Sequence, residues 1–163
     1  MASGDQRAEV PADLDGVGLR IGLVRSRWNA QVVGRLCAGV ERGLLHLGIP
    51  FDDITIETVP GSFEIPMACS ILARSGSVDA IVAIGAVIRG ETSHYELVSE
   101  GAAQGIQDVQ LATGVPIAFG LVTVENEEQA LARSQGPGGH NVGEEAALVA
   151  VEMARLAQRH RTS

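Results

Sequence analysis

Arg89, Gly90, Glu91, Thr92, Ser93 and His94 follow directly on nine apolar residues, Ala80–Ile88. A cation, a carboxylate, two hydroxyls and an imidazole on so short a stretch are the groups that bind anions and move protons. The apolar run is rich in Ile and Val and bounded by turn residues. It reads as a strand buried on both faces of a parallel sheet. Open α/β sheets bind ligands at the carboxyl edge of their strands. The cluster therefore lies where a strand gives way to a helix, in the place of an active site.

Histidine titrates near neutral pH, so His94 is the candidate for general acid–base work. A plain surface position at a helix start is the competing reading, and the company of Arg89, Glu91 and Thr92 tells against it. Glu96 reads as part of a solvated helix face. Gly90–Ser93 could hold an anion, because glycine admits close backbone approach and the first amides of a helix point outward. Arg133 is a candidate counter-cation, with an ordinary solvated helical arginine as its alternative. The sole Trp, Trp28, and one of three Phe, Phe63, fall just past predicted strands. Rings outside the core, beside amides and the Glu64 carboxylate, suit a flat, polar heteroaromatic ligand.

The elements that must position these groups alternate. Strands are expected at Leu19–Val24, Ile54–Val59, Asp79–Ile88 and Val115–Val122. Helices are expected from Asn29, read as an N-cap, to the stop at Gly48 and Pro50, and at about 63–74, 93–113, 127–134 and 142–159. Such alternation means β-α-β units with right-handed crossovers. The expected fold class is α/β, a three-layer α/β/α sandwich around a four-stranded parallel sheet. The loops after the four strands then meet on one edge. Gln135–His140, QGPGGH, is the one loop with no local reason to be ordered. Residues 1–17 lack apolar periodicity and read as a flexible arm, with residues 18–163 forming a single domain.

Composition narrows the function classes. Hydrophobic residues make up 45% and aromatics 3%, so the core is aliphatic and the chain is not a disordered one. A net charge of −8 argues against a nucleic-acid partner, which needs a basic stripe. Cys37 and Cys69 sit among apolar neighbours and read as buried thiols in a reducing compartment. No stretch reaches the roughly 18 apolar residues of a membrane span. The polar, acidic N-terminus matches neither a signal nor a transit peptide, so the cytoplasm is the expected location. His46, His94, His140 and His160 share no ligand spacing, and no metal is expected. No nucleotide-binding glycine fingerprint occurs.

From about Arg20 to Leu156 the chain resembles the lumazine synthase family of riboflavin biosynthesis, whose fold is flavodoxin-like. The resemblance rests on RWN at 27–29, where the family carries Arg-Phe-Asn, and on VPGSFEIP at 59–66. It continues in DAIVAIGAVIRGETSHYE at 79–96, VPIAFGLVT at 115–123, EQALAR at 128–133, and NVGEEAA with EM at 141–153. It implies the joining of 5-amino-6-(D-ribitylamino)uracil to 3,4-dihydroxy-2-butanone 4-phosphate, with release of phosphate and water and without a cofactor. It further implies that Trp28 stacks on the pyrimidine. Asn29, Ser62, Phe63 and Glu64 line the pyrimidine and ribityl pocket, with backbone near Val87 and Ile88. Gly90, Glu91 and Thr92 hold the phosphate, and His94 is the general acid–base. Phe119 and Arg133 complete the site from an adjacent subunit. The implied assembly is a homopentamer.

There is one departure from the family's pattern. The family carries Asn-Lys-Gly near the start of its last helix, and this chain has Asn141–Val142–Gly143. Arg133 is then left as the principal cation of the phosphate site. Shell-forming relatives join twelve pentamers into sixty subunits through a compact turn before that helix. Here the turn is one residue longer and contains Pro137, which favours a free pentamer over the shell. Three other readings fit the same residues: an enzyme on a related substrate, a flavin- or lumazine-binding protein without the chemistry, or a shell-forming structural protein, which is compatible with catalysis. His94 with Arg133 favours an enzyme, because a binder needs no acid–base group.

Overall fold

Four parallel strands form the centre of the molecule in the order β2-β1-β3-β4. They are β1 (Ile21–Ser26), β2 (Ile54–Val59), β3 (Ala80–Ile88) and β4 (Ile117–Val124). The structure is a computed structural model that describes residues 10–161. Five helices connect and cover the strands: α1 (Ala30–His46), α2 (Ile65–Arg74), α3 (His94–Thr113), α4 (Glu127–Ala132) and α5 (Val142–His160). The α/β/α sandwich expected from the alternation is the one observed.

The nine residues of β3 explain the two layers. Ala80, Val82, Ile84 and Ala86 join the cluster under α1 and α5, with Val33, Leu36, Val40, Ala147 and Val151. Ile81 and Ala83 point the other way, into the cluster with Ile65, Cys69, Ala102 and Ile106 from α2 and α3. Side chains alternate along a strand, so a strand between two helical layers must be apolar at every position. Truncating such a residue, for example Ile84→Ala, costs about 2–5 kcal/mol. The thiols belong to these layers: burial pushes Cys37 up to about 11 and Cys69 up to about 12.

Two strands lie two residues later than hydropathy placed them. β1 runs on through Arg25 and Ser26 because their backbones pair with Thr58 and Val59 of β2. β4 begins at Ile117, since Pro116 has no N–H to give. It extends to Thr123 and Val124, paired with Val87 and Ile88. Backbone pairing sets strand length here, and the ladder reaches past the apolar residues. Asn29 stands at the start of α1 but does not cap it: its backbone is left-handed at φ 59° and its side chain bonds no helix amide. Asn126 and Asn141 do cap, accepting from the amides of Gln129 and Glu144.

The Gln135–His140 loop is ordered, contrary to the local reading. Gln135 N–H donates to His140 O at 2.9 Å, and Gly139 N–H to Gly136 O at 3.0 Å. The buried Asn141 also donates through Nδ2 to Gln135 O and Arg35 O. These local bonds are joined by contacts from α1, where Arg35 donates to Ser134 O and Arg42 to Gln135 O, and those leave no local mark. Of the predicted arm, residues 1–9 lie outside the described residues. Further along, Gly16 N–H donates to Leu47 O, and Arg155 donates to Asp15 O at 2.7 Å and Val17 O at 2.9 Å.

Candidate active site

A cavity of about 450 Å³ opens at the carboxyl edge of β1, β2 and β3. It is lined by Trp28, Asn29, Gly61, Ser62, Phe63, Glu64, Ala86, Val87, Ile88, His94 and Val98. Eight of the residues singled out in the sequence thus meet at one place although they span more than sixty positions. The all-parallel topology does this, because every strand delivers its following loop to the same edge. Pockets for small organic ligands fall in this range, about 300–1,000 Å³.

The two rings are held outside the core by their backbones. Trp28, 71% exposed, follows Arg27, whose N–H donates to Val59 O and closes the β1 turn against β2. Phe63, 62% exposed, sits on a single helical turn, Ser62–Glu64, that leads into α2. Its ring lies on Gly101 of α3, where an added Cβ would come within 2.8 Å of Phe63 Cε1. The glycine makes the seat for the ring. Asn29 fixes the neighbouring turn by donating from Nδ2 to Ala86 O at 2.9 Å.

Ser62, which lines the cavity, has a second serine, Ser26, buried near it. The hydroxyls of Ser26 and Ser62 are buried and have no hydrogen-bond partner among the described residues. Both approach Gly85, where a Cβ would meet Ser62 Oγ at 2.5 Å and Ser26 Oγ at 3.3 Å. Sequence reasoning placed Ser26 in a loop and did not choose it. The glycine inside β3 was the available signal, since a strand glycine marks a close approach.

His94 opens α3, and its N–H donates to Thr92 Oγ1 at 3.2 Å. Gly90, Glu91 and Thr92 form the exposed span just before it. A helix of 20 residues begins there, which puts the positive end of its dipole at this edge. Arg89 is held by carboxylates on both sides, with Glu96 and then Glu125 raising its pKa. In return, the Arg89 hydrogen bond holds the Glu96 carboxyl below its usual range.

Phe119 and Arg133 do not line this cavity. Phe119 is on β4, paired in register with Ala83 and 45% exposed. Arg133 ends α4 and donates from Nη1 to Gln129 O at 2.9 Å. Its carbonyl accepts from Val142 N–H at 2.9 Å, so the two positions touch through the backbone. Among the described residues no group of three or more His, Cys, Asp or Glu could hold a metal ion. No helix there is long and apolar enough to cross a membrane.

Comparison with known proteins agrees with this geometry. A 6,7-dimethyl-8-ribityllumazine synthase of Azoarcus sp. (strain BH72) is 47% identical over 156 residues, covering 96% of this chain and 97% of the relative. The protein of that name from Paraburkholderia phymatum is 48% identical over 145 residues, 89% of this chain and 81% of its own. A third, from Paraburkholderia phytofirmans, is 48% identical over 145 residues. The sequence profile of the family matches residues 18–158, which takes in every strand and helix but the end of α5. The chain belongs to the 6,7-dimethyl-8-ribityllumazine synthase family.

Proposed function

We propose that this protein condenses 5-amino-6-(D-ribitylamino)uracil with 3,4-dihydroxy-2-butanone 4-phosphate to give 6,7-dimethyl-8-ribityllumazine, phosphate and water in riboflavin biosynthesis. The observation that carries the reading is the single cavity lined jointly by Trp28, Phe63, Glu64 and His94 in a chain of this family. Trp28 stacks on the pyrimidine, and Phe63 closes the pocket beside it. Asn29, Ser62, Glu64 and the backbone at Val87 and Ile88 hold the polar edge and the ribityl chain. Gly90, Glu91 and Thr92, with the start of α3, take the phosphate.

The chemistry needs proton transfers and little else. The amine nitrogen attacks the ketone carbon, forming the C–N bond, and the carbonyl oxygen leaves as water. A base then removes the proton from the neighbouring carbon, the C–O bond breaks with its electron pair leaving on phosphate, and the enol so formed takes a proton to become a methyl ketone. The second nitrogen attacks that new carbonyl and closes the ring with loss of a further water. His94 takes the proton from the attacking amine and returns it to departing oxygen. Holding both substrates together supplies much of the acceleration. No cofactor is called for, and the cytoplasm is the expected location.

Phe119 and Arg133 lie outside the cavity of one chain, which supports a site shared between subunits. The proposed assembly is a homopentamer, in which Phe119 and Arg133 of one subunit complete the cavity of the next. Incubating the purified protein with both substrates, while following lumazine absorbance and phosphate release, tests the activity. Protein that neither forms lumazine nor binds the ribityl-pyrimidine refutes it.

A further inference from the structure

One charged group at the carboxyl edge has no part in the reaction just derived. Arg89 is the first residue after β3, and its N–H donates to Val124 O at 2.8 Å. Its Nε lies 2.9 and 3.1 Å from the two carboxylate oxygens of Glu125, beyond the end of β4. Its Nη1 pairs with Glu96 in the first turn of α3. The guanidinium also stands over the Tyr95 ring, 4.3 Å from the centroid. One side chain therefore joins the end of β3, the end of β4 and the start of α3.

We propose that Arg89 is a positioning residue for the Gly90–Ser93 loop and is not a ligand of the phosphate. The inference rests on the function proposed above. The four-residue loop begins at Arg89 and ends at the helical turn that Arg89 grips, so a single clamp fixes both of its ends. Two different guanidinium nitrogens each bind a different carboxylate, Nε that of Glu125 and Nη1 that of Glu96, and charge-assisted bonds of this kind are among the stronger ones. Two negative charges against one positive leave no spare cation for an incoming phosphate, which the nearby carboxylates would repel. What the clamp supplies is alignment: the exposed backbone of Gly90, Glu91 and Thr92 stays in one conformation, with His94 beside it. Misplacing such groups by about 1 Å can cost on the order of 100-fold.

Steady-state kinetics of Arg89→Gln, Arg89→Lys and Glu125→Gln test the proposal, with thermal unfolding as the check on folding. Arg89→Gln is expected to raise the KM for the butanone phosphate roughly 10–100-fold, with the pyrimidine KM nearly unchanged. Arg89→Lys keeps the charge but loses the fork, and should recover only part of the loss. Glu125→Gln separates positioning from direct binding. Loosening the clamp should raise that KM, whereas a phosphate ligand freed of a carboxylate would lower it. Glu125 is an exposed loop residue, so this variant folds even if the Arg89 variants do not. A lowered KM in Glu125→Gln, or equal losses for both substrates in a folded Arg89→Gln protein, overturns the proposal. A wild-type protein that makes no lumazine overturns the function instead. Calorimetry with inorganic phosphate then reads the clamp: weaker binding in Glu125→Gln supports it, and equal or tighter binding refutes it.

Discussion

Asn29 donates from Nδ2 to the carbonyl oxygen of Ala86, 2.9 Å away, while its own backbone is left-handed at φ 59°. It is the one non-glycine residue with positive φ among those described. Asparagine tolerates that conformation better than most residues. The tether joins the turn after β1 to β3 and so fixes Trp28 above the cavity floor. Asn29→Gly keeps the backbone and loses the tether, which should cost about 1 kcal/mol. Asn29→Ala loses both and should cost more. Chemical denaturation ranks the two. Both should raise the KM for the pyrimidine, and a glycine variant with an unchanged KM shows that the tether does not place the ring.

His94→Ala should slow turnover by roughly 10–10⁴-fold without abolishing it, because proximity persists when the proton shuttle is lost. The fold should survive, since His94 is an exposed helix-start residue. Single-turnover lumazine formation measures the effect. Unchanged turnover in a folded variant removes His94 from the mechanism.

Arg133→Ala should raise the KM for the butanone phosphate by about 10-fold or more, as expected for loss of a charge-assisted contact. The pyrimidine KM should change far less. Val142 touches Arg133 through the backbone, so Val142→Lys puts the family's lysine beside it and should lower the KM for the phosphate substrate. Equal losses for both substrates in Arg133→Ala count against the assignment.

Asp79 carries the clearest pH signal for stability. Burial alone raises its pKa, but hydrogen bonds and charge from Arg20 outweigh this and hold the carboxyl below its usual value. The contacts are 2.7 Å to the Arg20 N–H and 3.0 Å to its Nη2. A depressed pKa contributes stability above the unfolded-state value of about 3.9, lost as pH falls through the lower folded value. Asp79→Asn should therefore lower the melting temperature at neutral pH, by about 2–4 °C for a domain of this size. It should also flatten the pH dependence below about 4. Melting curves that differ from wild type equally at pH 7 and at pH 2 refute the linkage.

Light scattering on the purified protein checks the assembly, for which a pentamer mass is expected. A mass near sixty chains rules out the free pentamer, and a monomer rules out the shared site. The turn that bears on this is a closed hairpin, with Ser134 bridged to Asn141 and Pro137 at its tip.

Much of the frame was legible because it is written in local rules. The uninterrupted apolar run of β3 required two covering layers, and alternation of strands with amphipathic helices required parallel crossovers. The break from Ile88 to Arg89 marked the edge where polar groups collect. Those signals need no knowledge of distant contacts.

Tertiary structure decided the rest. Arg25, Ser26 and Thr123 lie in strands because backbone amides pair across the sheet, which side-chain hydropathy does not encode. Asn29, read as a cap, spends its amide on Ala86, 57 positions away. The QGPGGH loop is ordered by Asn141 and by Arg42, whose Nη2 donates to Gln135 O. Arg89 read as one member of a polar cluster, and only the folded chain shows it gripping both Glu96 and Glu125. Sequence fixes which groups each element carries, since propensity and periodicity act over a few residues. Which groups meet is set by the sheet order and the packing of helices across it, and those are properties of the whole chain.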